Sequence, residues 1–202
     1  MNYKLEYEHK EKDFEDVWNI ENEYLDSSII SDIKQTIMWN QMNKDTHIFV
    51  RDISKDKIVG EATILPLTEK QFRLFMNNEL DDTDIDRIIE YKPNIECYLL
   101  FSVIAISKQY RNEKIILSLL LDGVNKKIDS LINNGVKFLN MCAEGATSDG
   151  IKFIESFLNL KYQKDTKDGY KLYSFDSKEE FNIWKRKFSG YIEKYKKNNN
   201  IN

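Results

Sequence analysis

The chain has 202 residues, 41% hydrophobic and 12% aromatic, with 2 Pro and 7 Gly: apolar enough for one packed domain, too poor in Pro and Gly for long linkers or disorder. A formal net charge of -4 with 32% charged residues gives a mixed surface without the basic footprint of a nucleic-acid binder. No stretch reaches the roughly 18 apolar residues of a membrane helix, and residues 1–16 lack the apolar core of a signal peptide.

Residues 3–7 alternate Tyr3, Leu5 and Tyr7 against Lys4 and Glu6, which predicts a short strand. Asp13 opens a helix carrying Phe14, Val17, Trp18, Ile20 and Leu25. A second helix follows, capped by Ser28 or Ser31, with Ile33, Ile37, Met38 and Met42 on one face. Residues 47–53 and 58–67 read as strands joined by the turn 54–57, an antiparallel hairpin. Thr68 and Gln71 have capping-box spacing. Beyond an acidic run at 79–86, Thr83 caps an expected helix over Ile85, Ile88 and Ile89, stopped at Pro93.

Residues 97–106 are a continuous apolar run and predict a buried central strand. After a polar turn at 107–113, apolar residues return at helical spacing to residue 133, and Asn134-Gly135 stops that helix. Residues 136–142 form the next strand. Thr147 or Ser148 caps a helix with Ile151, Ile154, Phe157 and Leu158 inward. Strands at 160–163 and 170–175 flank a turn at 167–169. Ser177 and Glu180 have capping-box spacing, and Phe181, Trp184, Phe188, Tyr191, Ile192 and Tyr195 share one stripe. The stretch 194–202 reads as frayed. Cys97 and Cys142 both fall in strands and read as buried free thiols, which with the missing signal core predicts a cytoplasmic chain. No metal-ligand spacing is present.

Strand, polar turn and helix start is where backbone N–H groups converge on phosphate. The sequence Ile104-Ala105-Ile106-Ser107-Lys108-Gln109-Tyr110-Arg111, the segment Thr147-Ser148-Asp149-Gly150-Ile151-Lys152-Phe153-Ile154, and the element order resemble the GNAT superfamily of N-acetyltransferases. The resemblance spans residues 3–175. It implies an α/β fold, layered as α+β: a mixed, mostly antiparallel sheet flanked by helices. That gives a GNAT-like acyltransferase domain at 1–175 and a C-terminal amphipathic helix and frayed tail at 176–202.

The resemblance also implies acetyl-CoA as acyl donor and direct transfer to a small-molecule or peptide amine. The pantetheine would pair with the backbone around Ile104 and Ile106, with the oxyanion on an N–H near Ile104. The diphosphate would sit on the amides of Arg111, Asn112, Glu113, Lys114, Ile115 and Ile116, helped by the charges of Arg111 and Lys114. Where the family carries two glycines, this chain carries Lys114 and Ile116; where the family carries its acid tyrosine, it carries Ile154. Those departures support the alternative, a catalytically silent GNAT-fold protein that binds a ligand or a protein.

The candidate bases are Glu96, at the start of the central strand, and Glu61, beside Gly60 on the hairpin. Tyr98, Tyr110 and Tyr162 are stand-ins for the missing acid, each against a reading as core. Cys142 reads as a buried thiol rather than a nucleophile. The acidic run 79–86 reads as a solvated linker or as an attractor of a cationic amine. The aromatic stripe of the last helix docks on its own sheet or, in the second reading, forms a homodimer contact. Membrane and nucleic-acid partners are not expected.

Overall fold

Strand alternation and the polar turn before Lys57 fold the front of the chain into an antiparallel unit. Here β1 (Tyr3–Glu6) pairs with β2 (His47–Asp52), and β2 with β3 (Lys57–Leu67). The long apolar strand β4 (Glu96–Ile106) adds antiparallel to β3. The next strand, β5 (Lys137–Gly145), lies parallel to β4. Last come β6 (Lys161–Asp165) and β7 (Lys171–Ser174), with β7 against β5 and β6 at the edge. The computed structural model describes residues 2–201, and its seven strands form one mixed sheet in the order β1-β2-β3-β4-β5-β7-β6. This is the mixed, mostly antiparallel sheet implied by the sequence.

Side-chain alternation sends successive residues to opposite faces. Ile48, Val50 and Ala62 lie on the face that meets α4 (Lys114–Asn133), and α6 (Lys178–Asn198) joins the same core against β5, with Phe181 on Phe138. Phe49 and Ile58 meet α1 (Asp13–Asn22) and, at its rim, α2 (Ile33–Met42). Farther along that second face, Leu65, Leu67, Leu100 and Cys142 pack with Trp39 and with Phe75 of α3 (Glu69–Asn77). Both cysteines are buried and free.

Several local expectations change. The cap of α2 is Asp32, which accepts from the Gln35 N–H at 2.8 Å, rather than Ser31; the side chain of Ser28 lies outside the described residues. The capping box of Thr68 and Gln71 is complete. The helix expected over Ile85 to Ile89 is absent: only a 3-10 turn, Asp82–Asp84, forms. The cause is competition for carbonyls. Gln35 donates to Thr83, Trp39 to Ile85 and Asn43 to Ile89, so side chains of α2 and of the residue that ends it satisfy oxygens that a helix would have used.

After β5, Thr147 caps α5 (Ser148–Phe153), and a π-turn, Ile154–Leu158, follows. The tail is not frayed at residue 194, since α6 runs to Asn198; Asn202 lies outside the described residues. Its stripe, Phe181, Trp184, Phe188 and Ile192, is buried in the main core, so the face offered for a homodimer is already covered by its own sheet.

Candidate functional site

The one parallel pair among the described residues, β4 with β5, comes apart. Pairing of β4 with β5 ends at Phe101 and Ala143. Beyond that point β5 keeps its bonds to β7, through Glu144 and Leu172. Strand β4 keeps its other partner, β3, out to Ile106 and Gly60. One edge of residues 102–106 is therefore left without a strand. An unpaired edge inside a sheet is a template for an extended ligand. At the parting point β4 also bulges: Val103 faces Thr63 and Phe101 faces Ile64, so Ser102 is the extra residue. Bulges re-aim backbone and side chains beside a site.

Two connected cavities occupy the opening. The larger, about 430 Å³, is lined by all six residues from Phe101 to Ile106, by Leu117 of α4 and by Phe153 and Ile154. Arg111, Glu113, Lys114 and Asp149 stand at its wide end. The smaller, about 310 Å³, runs under α1 and α2 toward Trp39 and Phe75. Glu21, Leu25, Ser102, Val103, Glu144 and Ala146 line both.

The smaller cavity is acidic. Glu21, Asp81, Asp82, Glu144 and Asp168 line it, with no Lys, Arg or His. Glu21 is only 9% exposed. Burial, and then the charge of Asp82, push its carboxyl up to about 8. Glu144 is pushed up to about 7 by burial, then by Asp82, Asp81 and Asp168. Burial also raises Asp82, although the bond it accepts from the Ser102 hydroxyl at 2.9 Å pulls the other way. Behind Glu21 lies Glu61, fully buried, with neither carboxyl oxygen hydrogen-bonded among the described residues. Burial and then Glu21 raise it far above the ordinary carboxylate range. Two adjacent carboxyls out of water cannot both ionise cheaply, so each raises the proton affinity of the other.

The sequence candidates separate in space. Ile104 and Ile106 line the groove, as do Arg111, Glu113 and Lys114. Asn112 and Ile115 do not line it, and Ile116 is fully buried core. The amide cradle is largely spent on the turn itself. The N–H of Arg111 donates to Lys108, that of Glu113 to Tyr110, that of Lys114 to Asn112 and that of Ile116 to Glu113. Arg111 pairs with Asp149 across the groove mouth.

Glu96 is exposed at the opposite end of β4 and lines neither cavity. Tyr98 stacks on Phe72, ring centroids 4.3 Å apart, also away from the opening. Tyr110 is held in the core, donating to Asp52 at 2.9 Å, and Tyr162 is exposed on the edge strand β6. The tyrosines that line the groove are instead Tyr24, which donates to the Ile106 carbonyl at 2.6 Å, and Tyr195. Burial pushes the Cys97 thiol up to about 12 and Cys142 higher still, which removes both as nucleophiles.

Sequence reasoning missed Glu21 and Glu144. Each carried a signal: Glu21 falls on the buried stripe of α1 with Phe14, Val17 and Ile20, and Glu144 shares the face of Cys142 by strand alternation. A carboxylate on an apolar stripe is either paired or functional.

No protein-family model matches the chain, and no curated protein matches it in sequence. Solved structures match the fold. Ard1 from Thermoplasma volcanium is 12% identical with a TM-score of 0.53, over 86% of this chain and 95% of that one. Naa50 of Arabidopsis thaliana, solved in complex with the bisubstrate analogue CoA-Ac-MVNAL, is 12% identical with a TM-score of 0.52, over 86% and 98%. The loading GNATL domain of CurA from Lyngbya majuscula is 12% identical with a TM-score of 0.54, over 86% and 97%. The chain has the GNAT fold.

Proposed function

We propose that this protein is an acetyl-CoA-dependent N-acetyltransferase acting on an amine by direct transfer. The observation that carries the reading is the parting of β4 from β5 after Phe101 and Ala143, which opens residues 102–106 onto a groove. Acetyl-CoA would lie there with its pantetheine amides on the free edge around Ile104 and Ile106, and its thioester at the bulge. The Naa50 structure with a CoA bisubstrate analogue supports a CoA ligand for this fold.

The amine would enter from the acidic cavity. Its nitrogen attacks the thioester carbonyl, an N–C bond forms, and the oxyanion is held by a backbone N–H of the bulged stretch near Ile104. The C–S bond then breaks. Glu144, pushed up to about 7, is matched to take the proton that the amine loses at neutral pH. Glu21, pushed up to about 8, holds a proton that can go to the departing thiolate. Glu61 is fully buried and acts through Glu21. Glu96 and Tyr98 have no part in this scheme.

The test is calorimetry with acetyl-CoA and with CoA, followed by thiol release across an amine panel. Saturable binding and amine-dependent thiol release are expected. Absence of binding at millimolar acetyl-CoA would sink the proposal. A second reading, a GNAT fold that binds a ligand without turnover, is favoured by one observation: four of the six turn amides already donate to backbone carbonyls. Binding without thiol release for any amine would select it.

A further inference from the structure

The acidic cavity joins the groove at Glu21, Ser102 and Glu144, yet the transfer reaction needs only one base there. Five carboxyl groups line it and no cationic side chain does. Glu21 is nearly buried, faces both cavities, and has no hydrogen bond or ion pair for its carboxyl among the described residues. Glu61 behind it is unpartnered as well. Nature seldom buries unpaired carboxyls unless something else completes them.

A metal ion is a poor completion. Among the described residues no three His, Cys, Asp or Glu side chains are grouped to hold one. The carboxyls are instead spread along the cavity wall: α1 supplies Glu21, the turn after α3 supplies Asp81 and Asp82, β5 supplies Glu144, and the turn between β6 and β7 supplies Asp168. A spread of negative charge fits a spread of positive charge. Trp39, Phe75 and Tyr170 line the cavity too, aromatic residues on which alkyl chains pack and ammonium groups sit.

We propose that this cavity is an acceptor subsite for a small di- or polyamine, whose distal ammonium groups sit on the carboxyls while one amine points to the groove. Its role as an acceptor rests on the acetyl-transfer reading above; binding of the amine does not. A peptide acceptor would need partners for its amide groups and carbonyls; of the hydroxyl residues on this wall, Thr36, Thr63 and Ser102 are already bonded to Asp32, His47 and Asp82, which leaves charge as its main offer. The volume, about 310 Å³, is that of a small-molecule site.

The experiment is calorimetric titration of the full chain with spermidine, without acetyl-CoA, against magnesium chloride at matched ionic strength and against a short peptide with a free N-terminus. Saturable spermidine binding is expected, with neither control competing. Glu144→Gln should weaken it by about ten- to a hundredfold, the loss of a charge-assisted bond, and Glu21→Gln, whose carboxyl already holds a proton at neutral pH, by a smaller factor. The exposed Asp81→Asn, which leaves the core untouched, should weaken it by a smaller factor. No spermidine binding, affinity unchanged in all three variants, or tighter binding of the peptide would overturn the proposal. The two readings fail separately. Spermidine binding without acetyl-CoA binding removes the reaction and keeps the subsite; acetyl-CoA binding without spermidine binding does the reverse.

Discussion

A Cβ placed on Gly60 would stand 2.8 Å from Cγ2 of Ile116, so β3 and the first turn of α4 meet with no room for a methyl group between them. The resemblance read from the sequence puts Ile116 where a glycine would let a phosphate approach. Here that position has been given to the core. Gly60→Ala should cost about 1–3 kcal/mol through overpacking. Ile116→Gly should cost more, roughly 2–5 kcal/mol for the cavity plus about 1 for glycine in a helix. Urea denaturation at unchanged m checks both. A stabilised Ile116→Gly would show that the turn is strained by its isoleucine, contrary to this packing.

The ion pair of Arg111 with Asp149 spans the mouth of the groove. Any diphosphate bound there must compete with the Asp149 carboxylate for the guanidinium. Both side chains are more than half exposed, so the pair itself is worth at most about 1 kcal/mol. Asp149→Asn should therefore tighten CoA binding, by up to about fivefold. Arg111→Ala should weaken it by about 1–3 kcal/mol. Calorimetry with CoA reads both, and an Arg111→Ala variant with unchanged affinity would remove that residue from the site.

Most of the sheet was legible because its strands are long and their burial is one-sided or complete. Residues 97–106 have no charge to misread, and the hairpin of β2 and β3 has a polar turn between apolar runs. Ile85 to Ile89 misled because periodicity records which side chains are buried, not what their carbonyls bond to. The winning partners, Gln35, Trp39 and Asn43, lie more than 40 residues away in sequence. The site was half legible for a similar reason. Ile104, Arg111 and Lys114 follow from local strand and turn order, whereas Glu21 and Glu144 come to line the same cavities only when α1 packs on the sheet.

Protons stored in that acidic cluster make stability depend on pH. A carboxyl raised in the folded state binds its proton there more tightly than in the unfolded chain. Its stabilisation is complete below the unfolded pKa and is lost as pH climbs toward the folded one. For Glu21 that window runs from 4.5 to about 8, and Glu61 and Glu144 act in the same sense. His47 opposes them at acid pH: burial and then His9 push it down to about 3, so the unfolded chain takes up a proton first below 6.5. His9 is lowered by burial and acts likewise. Above that pH the imidazoles are neutral in both states, and only the carboxyls remain. Stability should fall between about pH 6.5 and 8, at up to about 1.4 kcal/mol per unit for each proton involved. Glu21→Gln should flatten the slope. Urea midpoints across this range measure it, and a midpoint that rises with pH would contradict the assignment.

The last helix is the remaining test of how the chain is divided. Trp184 of α6 is 2% exposed and donates its indole N–H to the Phe157 carbonyl at 3.1 Å, tying the helix to the π-turn beside the groove. Tyr195, about three turns farther along the same stripe, lines the groove itself. If α6 is part of the domain, Trp184→Ala leaves a large cavity and an unpaired carbonyl. It should cost about 3–5 kcal/mol and weaken CoA binding through the displaced Phe157 and Tyr195. If α6 were a dimer contact, the same change would instead alter the mass in solution while sparing the monomer's stability. Urea denaturation and light scattering on the one variant distinguish these outcomes: a stable protein whose mass halves would place α6 between subunits, and a destabilised protein of unchanged mass would place it in the core.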